Sequence, residues 1–241
     1  MEKWEEKAIR ESDQIITFSK ASADIIISAY HKEPTQVQVF PIPAYIPAHL
    51  LPEKNAIQKE IQQPLKLLLV GKRYHLRGMD IAIEAIHLLN QNKYPAELRI
   101  VGMTGKDQDF VKFFGVYDKE DPAELKSYFE SFKWADLLFH PSRFHSAGIV
   151  ISEAAAFGLP TITNAAGGLA TTVEHNLTGL VLPEKSPPSA YVESIISLIK
   201  DKDRYQKLRQ SARQRFDDVL NWETAGQHLF EIIKQVHQAR F

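Results

Sequence analysis

The sequence predicts an α/β protein: a parallel sheet with helices on both faces, followed by a helical tail. Three observations point there. Short apolar, β-branched runs alternate with stretches of helical period through the middle of the chain, and after residue 182 the pattern is helical throughout. The 241 residues are 44% apolar and 10% aromatic, enough to bury a sizeable core. Strands of the main body are expected at 65–70, 98–101, 112–115, 136–139, 160–163 and 179–182. Between them, 79–90 places Ile81, Ile83, Ala85, Ile86, Leu88 and Leu89 inward and leaves Asp80, Glu84 and His87 to water. The helix at 122–131 follows Asp121, a good N-cap, with Pro122 at its first position. Helices at 148–157 and 168–175 each open on glycine, and 189–200, 203–220 and 222–239 form the tail.

The first 64 residues read differently: a strand at 14–18, a helix at 20–31 and a strand at 36–40. Pro41, Pro43, Pro47, Pro52 and Pro64 then force extended backbone, which marks a linker. A strand–helix–strand this small cannot bury both its faces alone, so it reads as a piece of another lobe or a flap on the main one.

Charge and composition exclude several classes. With 29 Lys+Arg against 30 Asp+Glu the net charge is −1, which removes the electrostatic argument for a nucleic-acid or membrane-surface partner. The absence of cysteine excludes disulfides, thiolate zinc sites, iron–sulfur clusters and cysteine nucleophiles. No apolar run approaches the ~18–20 residues that span a bilayer. The start, Met1-Glu2-Lys3-Trp4-Glu5-Glu6, lacks the apolar core of a signal peptide, so a soluble cytoplasmic protein is expected.

Two segments could carry chemistry. Gly71-Lys72-Arg73-Tyr74-His75-Leu76-Arg77-Gly78 joins a buried strand to a helix, with glycines for close backbone approach and cations for an anion. It is neither a P-loop nor Gly-x-Gly-x-x-Gly, and taken alone it fits a solvated basic turn equally well. In the second, His140-Pro141-Ser142 leads through His145 to a helix that begins near Gly148, whose amides are free to bind an anion. Glu153 lies about one and a half turns in, at ~3.6 residues per turn. A carboxylate there repels phosphate but accepts hydrogen bonds from a diol such as ribose. Spacing alone also fits an ordinary exposed helical glutamate.

Three stretches in order resemble the donor-binding lobe of GT-B glycosyltransferases, in particular the retaining family 4 type, the glycosyl transferases group 1. Val70-Gly71-Lys72 to Arg77-Gly78 is similar to the family's Gly-Arg…Lys-Gly, each cation exchanged for the other. His140-Pro141-Ser142 through Glu153 to Gly158-Leu159-Pro160 resembles its Pro-Ser…Glu-x7-Glu…Gly-x-Pro. Ala166-Gly167-Gly168-Leu169 to Thr178-Gly179 resembles its Gly-Gly…Thr-Gly. The resemblance implies a Rossmann-like sheet forming one lobe of a GT-B fold, and an enzyme that transfers a sugar from a nucleoside diphosphate to a hydroxyl acceptor, a sugar or lipid-linked sugar. It implies Lys72 and Arg77 on the diphosphate and its departing charge, with the amides of Gly148, Ile149 and Val150 beside them, and Glu153 on the ribose. His145, Ser146 and Ala147 would meet the donor sugar, with His145, Lys72 and Arg77 the catalytic set, and Gly102, Gly115 and Val116 would line the base. No metal or other cofactor is implied. His145 stands where the family has its first motif glutamate, Ala147 where relatives carry an aromatic residue and Thr171 where many carry glutamate.

The same resemblance divides the chain. Residues 1–46 would be a remnant of an N-terminal lobe and hinge, 47–64 a linker, 65–220 the nucleotide-sugar-binding lobe, and 221–241 the helix that crosses back to the N-terminal lobe. An isolated donor-binding half is then expected to bind a nucleotide without transferring sugar well, and to self-associate through its N-terminal segment. Alternatives are a non-catalytic nucleotide-sugar-binding module or another GT-B activity such as a sugar epimerase. Elsewhere the residues point to structure. His140 and His145 have no carboxylate at ligand spacing, so no metal site is expected. Trp134 and Phe110/Phe113/Phe114 read as core, and 202–215, interleaved with Asp201, Asp203, Asp217 and Asp218, as a solvated helix face.

Overall fold

In the computed structural model, which describes residues 2–240, a small N-terminal unit precedes a larger α/β body. The small unit comprises α1 (Glu2–Glu11), β1 (Ile15–Thr17), α2 (Lys20–Tyr30) and β2 (Val37–Val39). The body runs β3 (Leu65–Val70), α3 (Met79–Gln91), β4 (Ala96–Val101), β5 (Val111–Phe113), α4 (Pro122–Trp134), β6 (Leu137–His140), α5 (Ile149–Ala156), β7 (Thr161–Asn164), α6 (Leu169–Thr172) and β8 (Gly179–Leu182). The tail is α7 (Pro188–Lys200), α8 (Lys202–Asp218) and α9 (Trp222–Arg240). The six body strands form one parallel sheet in the order β5-β4-β3-β6-β7-β8.

Alternation along β3 builds a core on each face of this Rossmann-like sheet. Leu65, Leu67 and Leu69 pack with Ile83, Ile86 and Leu89 of α3 and Tyr191 and Ile195 of α7. Leu68 faces the other way, into Phe129 and Phe132 of α4 and Ala154 and Phe157 around α5. Burying each such side chain contributes about 1.5–3 kcal/mol, which both faces of a parallel sheet require.

The proline-rich stretch after β2 is not a free linker but a strap along α8. Leu50 and Ile57 are buried, and the carbonyls of Pro52, Ile57 and Lys59 accept hydrogen bonds from Arg213 (2.6 Å), Arg209 (2.6 Å) and Gln206 (2.8 Å). This corrects the reading of 202–215 as a solvated face. Arg209 and Arg213 are buried, because extended backbone without a ladder partner needs donors, and guanidinium groups supply them. Of the aromatic residues expected in the core, Phe110 is instead half exposed; Phe113 packs against one core, and Phe114 and Trp134 against the other, where they also sandwich the Arg99 guanidinium at 4.7 and 3.8 Å.

Two further differences concern helices. Residues 2–11, for which the sequence reading placed no element, form α1, with a Glu6–Arg10 pair at 2.9 Å one turn apart. The helix expected at 168–175 stops at Thr172, where β-branched residues give way to a turn closed by Thr178 N–H on the Glu174 carbonyl at 2.9 Å. The small unit meets the body through Lys20 N–H to Thr171 Oγ1 (2.9 Å), and the segment after β2 through Ala44 N–H to Leu220 O (2.8 Å), Ser152 Oγ to Ile42 O (2.7 Å) and Phe40 against His228 of α9. None of Ile15, Ile16, Ile25, Ile26 and Ile27 is fully buried.

Candidate functional site

From β3 the chain winds outward through β4 to β5, then returns to β6 on the other side of β3. At this reversal the loops after neighbouring strands part, and the crevice outside their C-terminal ends is where open α/β sheets hold ligands. A cavity of about 1180 Å³ lies there. One wall is Gly71, Lys72, Arg73 and Arg77 after β3, and the floor is Val101 at the end of β4 and Gly102 after it. Val116 to Glu120 after β5, with Glu124 and Tyr128 of α4, make the far wall. His145 and the first turns of α5, with Ile149, Val150 and Glu153, close it.

The two motif loops are tied together. Arg143 makes a bidentate pair with Asp80 at 2.7 Å and donates to the His75 carbonyl at 2.8 Å. Ser142 Oγ donates to Leu76 O at 2.7 Å, and Arg77 Nη1 to Phe144 O at 2.6 Å. Gly78 takes φ 67° at the start of α3, and a Cβ there would collide with the Pro141 carbonyl, so this junction demands glycine. The third motif braces rather than lines the cavity: Gly168 N–H donates to His145 O at 2.9 Å.

Of the residues singled out from sequence, Lys72, Arg77, Gly102, Val116, His145, Ile149, Val150 and Glu153 line the cavity. Four do not. Gly115 backs the wall by accepting from Gly102 N–H at 2.7 Å, and Gly148 is the left-handed N-cap of α5 (φ 74°). Ser146 is exposed, and Ala147 is buried with its carbonyl held by Thr172 Oγ1 at 2.9 Å.

Glu153 is not an ordinary exposed glutamate. It is 4% exposed, and Tyr128 Oη donates to its Oε2 at 2.5 Å while Lys119 Nζ donates to its Oε1 at 2.7 Å. Burial, reinforced by the adjacent carboxylate, pushes the Tyr128 phenol well above its ordinary range, so the hydroxyl stays protonated and donates to Glu153. Sequence reading missed Lys119 and Tyr128. A tyrosine in the apolar stripe with Phe129 and Phe132 signals a buried hydroxyl that needs an acceptor, though not which one.

The opposite end holds imidazoles. His140 is fully buried, with neither ring nitrogen hydrogen-bonded, and its ring lies 5.2 Å from that of His145. Burial, then the neighbouring His145 and Arg77, lowers His140 to about 3. Burial, then Arg77, lowers His145 to about 4. Both are neutral at physiological pH. Among the described residues no group of three or more His, Asp or Glu is arranged to hold a metal ion, and no helix is long and apolar enough to cross a membrane.

The cavity thus combines three cations, Lys72, Arg73 and Arg77, and the start of α5 with a buried carboxylate, Glu153, that Lys119 and Tyr128 hold. It suits a ligand with an anionic part and a hydroxyl-donating part. Residues 52–215 match the family described as Glycosyl transferases group 1. The chain is 25% identical over 260 aligned residues to a D-inositol 3-phosphate glycosyltransferase of Xylanimonas cellulosilytica, covering 98% of this chain and 60% of that one. Sucrose-phosphate synthase from Thermosynechococcus elongatus has the same fold over 98% of this chain and 61% of its own, with a TM-score of 0.73 at 21% identity. Anabaena HepE in complex with UDP-glucose matches with a TM-score of 0.66 at 19% identity, over 95% and 65% of the two chains. The chain therefore spans about three fifths of the length of these relatives.

Proposed function

The chain belongs to the glycosyl transferases group 1, and from that premise we propose that it is the donor-binding half of a retaining glycosyltransferase acting on a nucleoside-diphosphate sugar. The observation that carries this reading is the cavity at the strand-order reversal, lined both by Lys72, Arg73 and Arg77 and by the buried Glu153. Lys72 and Arg77 take the diphosphate and stabilise the charge that grows on it as the sugar–phosphate bond breaks. The amides of Ile149 and Val150, at the start of an eight-residue helix without a side-chain cap, add fixed positive dipoles. Glu153 accepts the ribose hydroxyls, and main chain near Gly102, Gly115 and Val116 borders the base. The donor sugar lies by His145, where a neutral imidazole hydrogen-bonds a hydroxyl but offers no fixed charge, while Ser146 and Ala147 stand outside the cavity lining. The acceptor is a hydroxyl of a sugar or lipid-linked sugar, and residues 1–46 and 221–241 belong with the surface that meets the rest of such an enzyme.

HepE's complex with UDP-glucose supports a nucleotide-sugar ligand of this type. The test is calorimetry with ADP, GDP, UDP and inorganic pyrophosphate. Lys72→Ala should weaken every ligand, whereas Glu153→Ala should weaken the nucleotides and leave pyrophosphate unchanged or tighter. Equal, near-neutral effects on all ligands would sink the donor-site reading. The neutral His145 at the sugar end favours a second reading, a nucleotide-sugar-binding module without transfer activity. Sugar transfer to any acceptor that is abolished by Lys72→Ala would exclude it.

A further inference from the structure

The two donors on Glu153 are unlike in how firmly they are held, and this asymmetry has a function that builds on the donor-site reading. Tyr128 is buried in α4 against Phe129 and Phe132, with ring centroids 5.1 and 5.2 Å away, and cannot leave its carboxylate oxygen without breaking that packing. Lys119 reaches the other oxygen from the loop between β5 and α4, and its side chain is 49% exposed. Its ammonium also sits 4.0 Å from the Tyr128 ring centre.

The loop that carries Lys119 is braced independently of the lysine. Asp118 N–H donates to Glu124 at 2.6 Å, Glu120 N–H to Asp118 at 2.9 Å, and Asp121 caps α4 through the amides of Ala123 and Glu124 at 2.8 and 2.9 Å. The side chain can therefore swing into the open cavity while its backbone stays in place. The oxygen it holds belongs to the cavity-lining carboxylate that a ribose would approach.

We propose that Lys119 is an internal competitor of the ribose diol for Glu153, a specificity-determining residue that caps the carboxylate in the empty site and must be displaced by the incoming hydroxyls. A bound diol gains hydrogen bonds to Glu153 only at the expense of the Lys119 ion pair. Lys119 therefore tempers the affinity for ribonucleotides. It also stands ready to reclaim the carboxylate as the spent nucleoside diphosphate departs, which favours release. A nucleotide without the diol leaves the pair intact.

The test compares a ribonucleoside diphosphate with its 2′,3′-dideoxy analogue, using whichever of ADP, GDP and UDP binds the wild-type chain, in Lys119→Met, Lys119→Gln and Lys119→Arg. The ribo-over-dideoxy preference should grow roughly two- to tenfold in Lys119→Met and Lys119→Gln, the worth of a half-exposed ion pair, chiefly through slower dissociation of the ribonucleotide. Lys119→Arg keeps a competing cation and should stay near the wild-type preference. An unchanged or smaller preference in the Met and Gln variants overturns the inference while leaving the donor-site reading standing. No ribo preference in the wild type or in any of the variants overturns both.

Discussion

At the residue scale, the two cations that sequence reading paired do different work. Lys72 is exposed and free to meet a ligand, so Lys72→Ala should weaken nucleoside diphosphate binding by roughly 10- to 150-fold, the loss of one charge-assisted hydrogen bond, with little change in stability. Arg77 also holds the Phe144 carbonyl, so Arg77→Ala should weaken binding and lower stability by about 1–3 kcal/mol in denaturant titration. Lys72→Ala losing as much stability would show that the two roles are not divided. The buried imidazoles make a separate prediction about pH. The ordinary value of 6.5 for the unfolded chain exceeds the folded His140 value of about 3, so below pH 6.5 protons bind preferentially to the unfolded state. Stability from this group is complete above pH 6.5 and falls as pH drops toward 3, by about 2 kcal/mol at pH 5. His145, lowered to about 4, adds in the same direction. Chemical denaturation at pH 7.5 and pH 5 should show the loss, and His140→Leu should flatten it; an equal slope in the variant would assign it elsewhere.

At the element scale, α8 shows why charge pattern alone misleads. Lys207 and Arg213 lie on the same helix in a stretch of interleaved charges, but Lys207 is exposed whereas Arg213 is buried against Asp217, Pro52 and Ala156. Arg213→Ala strands two carbonyls and leaves Asp217 with Lys54 as its remaining cation, and should cost about 3 kcal/mol. Lys207→Ala should stay within about 0.5 kcal/mol. Guanidine titrations of both distinguish a strap anchored by α8 from a free linker, which predicts equal, small effects. The body strands fall within two residues of where alternation and turn residues put them, because both faces of the sheet are buried and register is unambiguous. Helix α1 and the early end of α6 are not read from the pattern: the first is tied at its end by Lys32, twenty-two residues on, which donates to the Arg10 carbonyl, and the second yields to a turn in which Glu174 and Thr178 exchange hydrogen bonds.

At the scale of the whole molecule, the small unit and α9 both expose large apolar side chains. Trp4, Ile16, Phe18, Ile25, Phe230 and Ile233 are all open to water. Such a surface favours burial against another chain or lobe, and the purified chain should self-associate in a concentration-dependent way in analytical ultracentrifugation. Ile25→Lys with Phe230→Lys should shift it to monomer; a wild-type monomer at all concentrations would show that the surface tolerates water as it stands.

The sequence by itself determined the parallel sheet, the strand-to-helix loops that bear Lys72, Arg77, His145 and Glu153, and the family to which they belong. Each of these is written in local signals: period, glycine at a turn, an N-cap, a motif on one loop. Only the tertiary structure decided that Glu153 is buried, that Tyr128 and Lys119 share it, and that Arg209 and Arg213 face inward. Those are contacts between residues 25, 34 and more than 50 positions apart. Burial and hydrogen-bond partnership belong to pairs of segments brought together by packing, and no one segment's pattern encodes its partner.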